Sequence, residues 1–308
     1  MAHHAGNRYI PVRGSQLKHY RKVALYCKRG ENGFNLYKPA GASLADLRIA
    51  QQRHPALFIR QSDRMAAIRE IQTGFGMDMA TGIESGDTRE VKRALCELVS
   101  ETLVEPRSGT LQVLPRTVSM LVSNYSGTPG ILKTFASISF KDDTTVVHSV
   151  NVMALTLGLC FYAGLSLRET KRLGLMALLH DVGKTEVPVD ILKAPRRLTD
   201  EEFKIMKDHP LVGAQIIEVR NKFGEPIAQA AREHHEKLDG SGYPRGTRKI
   251  STAGQILGIV DCYEALTNQD RPYRQAIKPI EALKLIMEDV RAGKFSRDIF
   301  ESFCRSLV

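Results

Sequence analysis

The sequence is poor in the devices that mark exported, membrane-spanning and nucleic-acid-coating proteins. Its five cysteines, Cys27, Cys96, Cys160, Cys262 and Cys304, are odd in number, far apart and free of any C-x-x-C pair. That pattern excludes a disulfide framework and points to reduced thiols in a cytoplasmic protein. Residues 1–14 are polar, with no basic-then-apolar leader, so no export signal is expected. The longest uncharged run, residues 151–167, falls short of the ~20 residues a bilayer span needs and contains two glycines, so it predicts a core helix and no membrane partner. Lys and Arg outnumber Asp and Glu by 44 to 34, a formal charge of +10. Such a charge suits a polyanionic ligand, but the basic residues are spread along the whole chain with no tract, which argues against nucleic acid. No internal repeat is visible at periods of about 20 to 50 residues.

What is present is ordinary globular composition, 43% hydrophobic and 25% charged over 308 residues, enough for two domains. Near the start Val23, Leu25 and Cys27 alternate with other residues, Gly30-Glu31-Asn32-Gly33 makes a turn, and Phe34, Leu36 and Tyr37 follow, which is a hairpin signal. A short helix is expected over residues 43–52, a strand over 56–59, and a helix capped by Ser62 running to about Gln72. Residues 74–86, rich in Gly, Met, Thr and Ser, look like a boundary, and Gly127-Thr128-Pro129-Gly130 breaks the chain again. The expected fold class is α+β. Residues 1–75 form a small accessory α/β module with a regulatory or packing role, 76–125 a helical linker, and 126–308 an all-α domain.

Within the last of these, Asp142 or Asp143 is expected to open a helix carrying His148 and Asn151 one turn apart on one face. A buried helix over 173–179 ends in His180-Asp181, with Gly183 at its boundary. Thr199-Asp200-Glu201-Glu202 is a capping box, and the helix it starts is expected to end near His209, because Pro210 disfavours helical geometry at the residue before it. Residues 226–233 lead to His234-His235, and Ser251 caps a helix whose apolar stretch holds Asp261.

Five histidines, His148, His180, His209, His234 and His235, thus recur about once per helix, and Asp181 and Asp261 complete the set. Neutral imidazole and carboxylate are ligands for iron, manganese and zinc, and groups brought from several helices can surround two cations. Adjacent His180 and Asp181 are expected to point in different directions, the carboxylate reaching both ions. An unpaired Asp261 on an apolar helix would cost several kcal/mol, about what a metal removes. Taken singly, any of these histidines could be a satisfied core or surface residue, and Asp261 could be in a salt bridge. The remaining histidines, His3, His4, His19 and His54, sit in no comparable motif.

The ordered series His180-Asp181-Val182-Gly183-Lys184, residues 199–209, and His234-His235-Glu236-Lys237-Leu238-Asp239-Gly240-Ser241-Gly242-Tyr243-Pro244 resembles the HD-GYP family of HD metal-dependent phosphohydrolases. The likeness runs from about Ser139 to the C-terminus and includes His148, Asn151, Asp261 and Arg271-Pro272-Tyr273-Arg274. It implies hydrolysis of the bacterial second messenger cyclic di-GMP to pGpG and, as in many members, onward to GMP. It also implies a binuclear site, iron or manganese, held by His148, His180, Asp181, His209, His234, His235 and Asp261, with Asp181 bridging. In-line attack by a hydroxide on the metals would cleave the ester, Asp181 and Lys184 being the catalytic pair. Lys184, Arg271 and Arg274 would meet phosphate or guanine. Gly242, Tyr243 and Pro244 would wall the cleft, Tyr243 chiefly by packing.

Two departures stand out. Thr144 occupies a position that is acidic in relatives with a third metal, so two metals are expected, and Glu264 replaces an aspartate. They motivate an alternative, a weak or inactive domain acting as a cyclic di-GMP sensor or adaptor; another cyclic dinucleotide or phosphoester is a further candidate substrate. The N-terminal module loosely resembles accessory units that precede such domains and is a candidate site for a protein partner.

Overall fold

The computed structural model describes residues 8–30, 33–44, 51–128, 130–138, 144–220, 223–268 and 276–308. Four short strands come first: β1 (Tyr9–Pro11), β2 (Leu25–Arg29), β3 (Gly33–Lys38) and β4 (Leu57–Arg60). They form one sheet in the order β1-β4-β2-β3, every neighbouring pair antiparallel. β2 and β3 are the expected hairpin, and Gly30 leaves β2 at φ 60, a left-handed conformation that costs glycine nothing. The expected helix over 43–52 falls largely on residues outside those described.

The helix α1 (Arg64–Ser85) starts after a short 3-10 turn, Gln61–Asp63, so Ser62 lies in that turn and not at the cap. It also runs well past Gln72, through the glycine-containing segment. Buried Ile68, Ile71, Phe75 and Met79 continue at helical spacing, and burial of those side chains outweighs the ~1 kcal/mol that each glycine costs a helix. Gly74 has a positive reason to be there, since a Cβ at that position would sit 2.2 Å from His19 Nδ1. The Glu70 carboxylate accepts the backbone N–H groups of Arg21 (2.5 Å), Lys22 (2.6 Å) and Val23 (3.1 Å), pinning the segment before β2. The chain divides into two units, Met1–Thr81 and Gly82–Val308.

The second unit is helical among its described residues. α2 (Thr88–Leu103) is capped by Asp87 and buries an apolar stripe of Val91, Leu95, Leu98 and Val99. After it come α3 (Leu114–Tyr125), α4 (Gly130–Ser137), α5 (Thr144–Tyr162) and α6 (Leu167–Leu179). The order continues with α7 (Val189–Leu192), α8 (Asp200–Met206), α9 (His209–Gln215) and α10 (Glu225–Glu233). α11 (Thr252–Thr267), α12 (Pro279–Arg291) and α13 (Arg297–Ser306) complete it. Together with the small sheet, this is the expected α+β arrangement.

α5 is the central rod, packed by α2, α4, α6, α11 and α13. Its segment Thr145–Tyr162 is long and apolar enough to cross a membrane by length and composition, yet 78% of it is buried inside the protein; a helix covered on all sides is apolar on all sides. α6 crosses it closely at Gly174, where a Cβ would lie 2.7 Å from Leu157 and 3.0 Å from Val118. All five cysteines are free thiols.

In the second unit a further helix limit differs from expectation. Thr199 and Glu202 do form the capping box, but α8 stops at Met206, and His209 begins α9 with Pro210 in its first turn. Proline is tolerated there because an N–H in the first turn has no intrahelical acceptor to lose. Replacing Leu157, fully buried against Gly174, by Ala is expected to cost about 2–5 kcal/mol through the cavity left behind, measured as a lower urea midpoint with unchanged slope.

Candidate metal centre

Five segments converge on one buried cluster. His148 projects from α5, His180 and Asp181 follow the last turn of α6, His209 opens α9, His234 and His235 follow α10, and Asp261 lies on α11. The structure brings all seven candidate ligands together. His180 and Asp181 do not diverge as expected, for His180 Nε2 lies 3.4 Å from Asp181 Oδ2. The reason is that the helix ends at Leu179 and Asp181 has left helical geometry, φ −99 and ψ 9, which turns its carboxylate back toward the ring before it.

The two oxygens of Asp181 face different neighbours. Oδ1 lies 3.1 Å from His209 Nε2 and 3.7 Å from His234 Nε2, whereas Oδ2 lies 3.5 Å from His148 Nε2 and 3.4 Å from His180 Nε2. Ligand atoms therefore fall into two sets that share this residue, Asp181–His209–His234–His235 and His148–His180–Asp181, each spanning no more than 4.8 Å. Asp261 supports both sides, with Oδ1 3.0 Å from His148 Nε2 and Oδ2 3.7 Å from His235 Nδ1.

Three of the rings are set by the main chain. Nδ1 of His180, His209 and His234 each lies 2.7 Å from the carbonyl three residues earlier, Ala177, Met206 and Ala231. A helix end leaves its last carbonyls without intrahelical donors, so these oxygens are free to take the imidazole proton. The proton then resides on Nδ1, and Nε2 presents a lone pair to the cluster. The fourth ring, His148, gives its Nδ1 proton to Glu264 instead.

This proton placement tests whether a cation fits. His209 Nε2, His234 Nε2 and Asp181 Oδ1 become three acceptors facing one another at 3.1 to 3.7 Å. Among the described residues, His148 Nε2, His180 Nε2 and Asp181 Oδ1 are buried atoms with no hydrogen-bond partner. Crowded, unsatisfied lone pairs in a dry site are costly, and a divalent cation is the group that imidazole and carboxylate would share there. The charge states agree. Burial opposes ionisation of Asp181, but Lys184 and His180 hold its pKa well below the usual carboxylate range, and His148 does the same for Asp261. Burial drives His180 down to about 4 and also lowers His209 and His235, so these rings are neutral near pH 7. His148 differs: burial lowers it, yet Glu264 and Asp261 prevail and raise it to about 9.

Lys184 lies in the 3-10 turn Val182–Glu186, its Nζ 2.5 Å from Asp181 Oδ2. Gly183 before it is a spacing device, since a Cβ would come within 2.0 Å of the His209 carbonyl. Only glycine lets this turn lie against the start of α9 and so bring Asp181 to His209.

Beyond α10, Gly240 and Gly246 take positive φ (81 and 62), and Gly242 passes 2.5 Å, at the Cβ position, from the His235 carbonyl. Tyr243 packs its ring 4.6 Å from His235. Burial pushes its hydroxyl pKa up, so it stays a neutral phenol. Gly242 and Tyr243 thus stand beside His235, with Pro244 next in the chain. Arg271 and Arg274 lie outside the described residues, as do Asp142 and Asp143.

Sequence reasoning passed over two glutamates. Glu236 accepts the backbone N–H of Arg245 (2.7 Å) and Thr247 (3.0 Å), closing the loop, and Glu233 accepts Ser251 N–H (2.8 Å) and Oγ–H (2.6 Å) at the start of α11. The available signal was their symmetric placement around the histidine pair, Glu233-His234-His235-Glu236.

A family model described as an HD domain matches residues 135–299. The chain is similar to a cyclic di-GMP phosphodiesterase of Pseudomonas aeruginosa, 33% identical over 181 residues, which are 58% of this chain and 43% of the relative. It is similar to a 3'3'-cGAMP-specific phosphodiesterase of Vibrio cholerae, 30% identical over 212 residues (68% of this chain, 45% of the relative). A cyclic di-GMP phosphodiesterase of Thermotoga maritima is 35% identical over 172 residues (54% and 45%). The chain spans less than half the length of these curated relatives. A solved structure of an HDG"Y"P protein from Bdellovibrio bacteriovorus has the same fold, with a TM-score of 0.66 at 20% identity over 96% of this chain and 98% of that one.

Two substitutions test the centre. Asp181→Ala is expected to abolish metal loading, read by elemental analysis of protein purified without chelator. Gly183→Ala should lower metal content with helicity retained, because it pushes Asp181 from His209 without removing a ligand.

Proposed function

The chain belongs to the HD-domain family, and on that premise we propose that it is a metal-dependent phosphodiesterase that hydrolyses a cyclic dinucleotide, cyclic di-GMP first, to pGpG and then to GMP. HD-domain phosphohydrolases bind divalent metals, and the His/Asp cluster described above has the chemistry for them. The observation that carries the reading is the division of the Asp181 oxygens between two ligand sets, which favours two divalent ions that this carboxylate would share, iron or manganese being proposed for them. His148, His180, His209, His234, His235 and Asp261 would supply the remaining protein ligands.

A phosphodiester is anionic at neutral pH and repels nucleophiles. Two divalent ions, when bound, supply a nucleophile near pH 7 and neutralise the phosphoryl oxygens. The residues of the chain do the rest. Helix-end carbonyls keep the Nε2 lone pairs on the cluster side, and Asp181 stays ionised through its contact with Lys184. Lys184, its side chain about one-fifth exposed, stands at the edge of the cluster with an ammonium that can stabilise charge developing on a phosphoryl oxygen. Gly242, Tyr243 and Pro244 form a firm wall beside His235. Arg271 and Arg274 are proposed to hold phosphate or guanine.

A sensor or adaptor without turnover is the less favoured reading. The relatives are named for hydrolysis, and Glu264, one of the two departures behind that alternative, makes the hydrogen bond to His148 that a carboxylate is needed for at that place. Residues 1–75 are proposed as a regulatory unit, 76–125 as a connector and 126–308 as the hydrolase domain.

Metal-stripped protein reloaded with Mn²⁺ or Fe²⁺ is expected to convert cyclic di-GMP to pGpG, followed by chromatography beside 3'3'-cGAMP as a second substrate. Cyclic dinucleotides left intact by the fully loaded protein would refute the assignment. Lys184→Met should lower kcat on the order of 100-fold while metal content is retained, because Lys184 is not among the ligands.

A further inference from the structure

His148 is the one histidine among the ring-anchored four whose Nδ1 is held by a side chain, and that side chain is itself held. Glu264, buried on α11, accepts His148 Nδ1–H through Oε2, and its Oε1 accepts Asn151 Nδ2–H at 2.8 Å and Asn268 Nδ2–H at 2.8 Å. Asn151, one turn beyond His148 on α5, turns its Oδ1 to Lys92 Nζ at 2.6 Å. Lys92 comes from α2, is 0% exposed, and also donates to the carbonyls of Ala136 (3.4 Å) and Ile138.

Donor and acceptor types leave this chain only one direction. An ammonium has only donors and a carboxylate only acceptors, so an amide between them must present oxygen to the lysine and nitrogen to the glutamate. With Oε1 occupied by amides, Oε2 is left to His148, and because it can only accept, the imidazole proton stays on Nδ1. Lys92 also supplies a positive charge in a region where Glu264 brings a buried negative one. An unpaired buried charge is strongly unfavourable, and these two are joined through a single amide.

We infer that Lys92 is a positioning residue for the metal centre, orienting His148 through Asn151 and Glu264. The inference rests on the binuclear reading above. It assigns a part in the site to a helix outside residues 135–299, the span of the HD-domain match. Loss of an outer hydrogen-bond partner should weaken the ion held by His148, His180 and Asp181 and spare the one held by His209, His234, His235 and Asp181.

The test titrates metal-stripped full-length protein with Co²⁺, followed by calorimetry and visible absorption. Wild type is expected to show two binding events, and His148→Ala identifies the one that depends on that ring. Lys92→Met should weaken that event by about 10–100-fold and leave the other unchanged, with a matching change in only one set of cobalt bands. Asn151→Leu, close in shape and with Lys92 kept, should give the same selective loss, and it carries the test if Lys92→Met does not fold. The double variant should be no weaker than the larger single effect, since both residues act in one chain. Equal weakening of both events in step with melting temperature, or no change in either, would overturn the inference. A wild-type protein that takes up no cobalt would instead overturn the metal centre itself, and the positioning role with it.

Discussion

The second unit depends on a single carboxylate placed where its two oxygens serve different partners. Asp181 follows directly on the C-terminal end of α6, and the turn after it is held against α9 at a distance only Gly183 permits. From that position one oxygen looks to His209 and His234 and the other to His148 and His180. Move it by an ångström and the two sets separate. Much of the surrounding packing can be understood as fixing this point: the central α5 brings His148 in from one side, while α10 and α11 bring His234, His235 and Asp261 from the others.

A second constraint acts on protons. A histidine ligates through a lone pair, so each ring needs its proton taken up elsewhere. For four of the five rings the fold meets this need, three times with the carbonyls left over at helix ends and once with Glu264. Apart from His148, whose Nε2 lies 3.0 Å from Asp261 Oδ1, the result is a group of buried acceptors crowded together with few donors among them. Such a cluster is unfavourable alone and favourable around a cation, which couples metal binding to the stability of the whole helical unit.

Much of this was legible in the sequence because the relevant signals are local. The capping box at Thr199, the cap at Ser251 and the hairpin around Gly30 follow from short-range chemistry, and each is present. The ligand set was legible because seven residues of the right types recur in order, and the structure gathers them. What escaped was set by tertiary contact. α1 persists through its glycines because Phe75 and Met79 are buried, a fact no propensity reveals. His209 opens a helix where it was expected to close one, since proline before and after a helix start look alike in one dimension. Lys92 resembles any surface lysine on an amphipathic helix until Asn151 is seen across from it.

The way the rings are anchored has an evolutionary corollary. Where the proton acceptor is the peptide carbonyl of Ala177, Met206 or Ala231, the side chain at that position contributes nothing to the anchoring, and drift there leaves the ligand undisturbed. His148 has no such immunity. Its support is written in the side chains of three helices, so a substitution that touches no ligand can still disturb this corner of the centre.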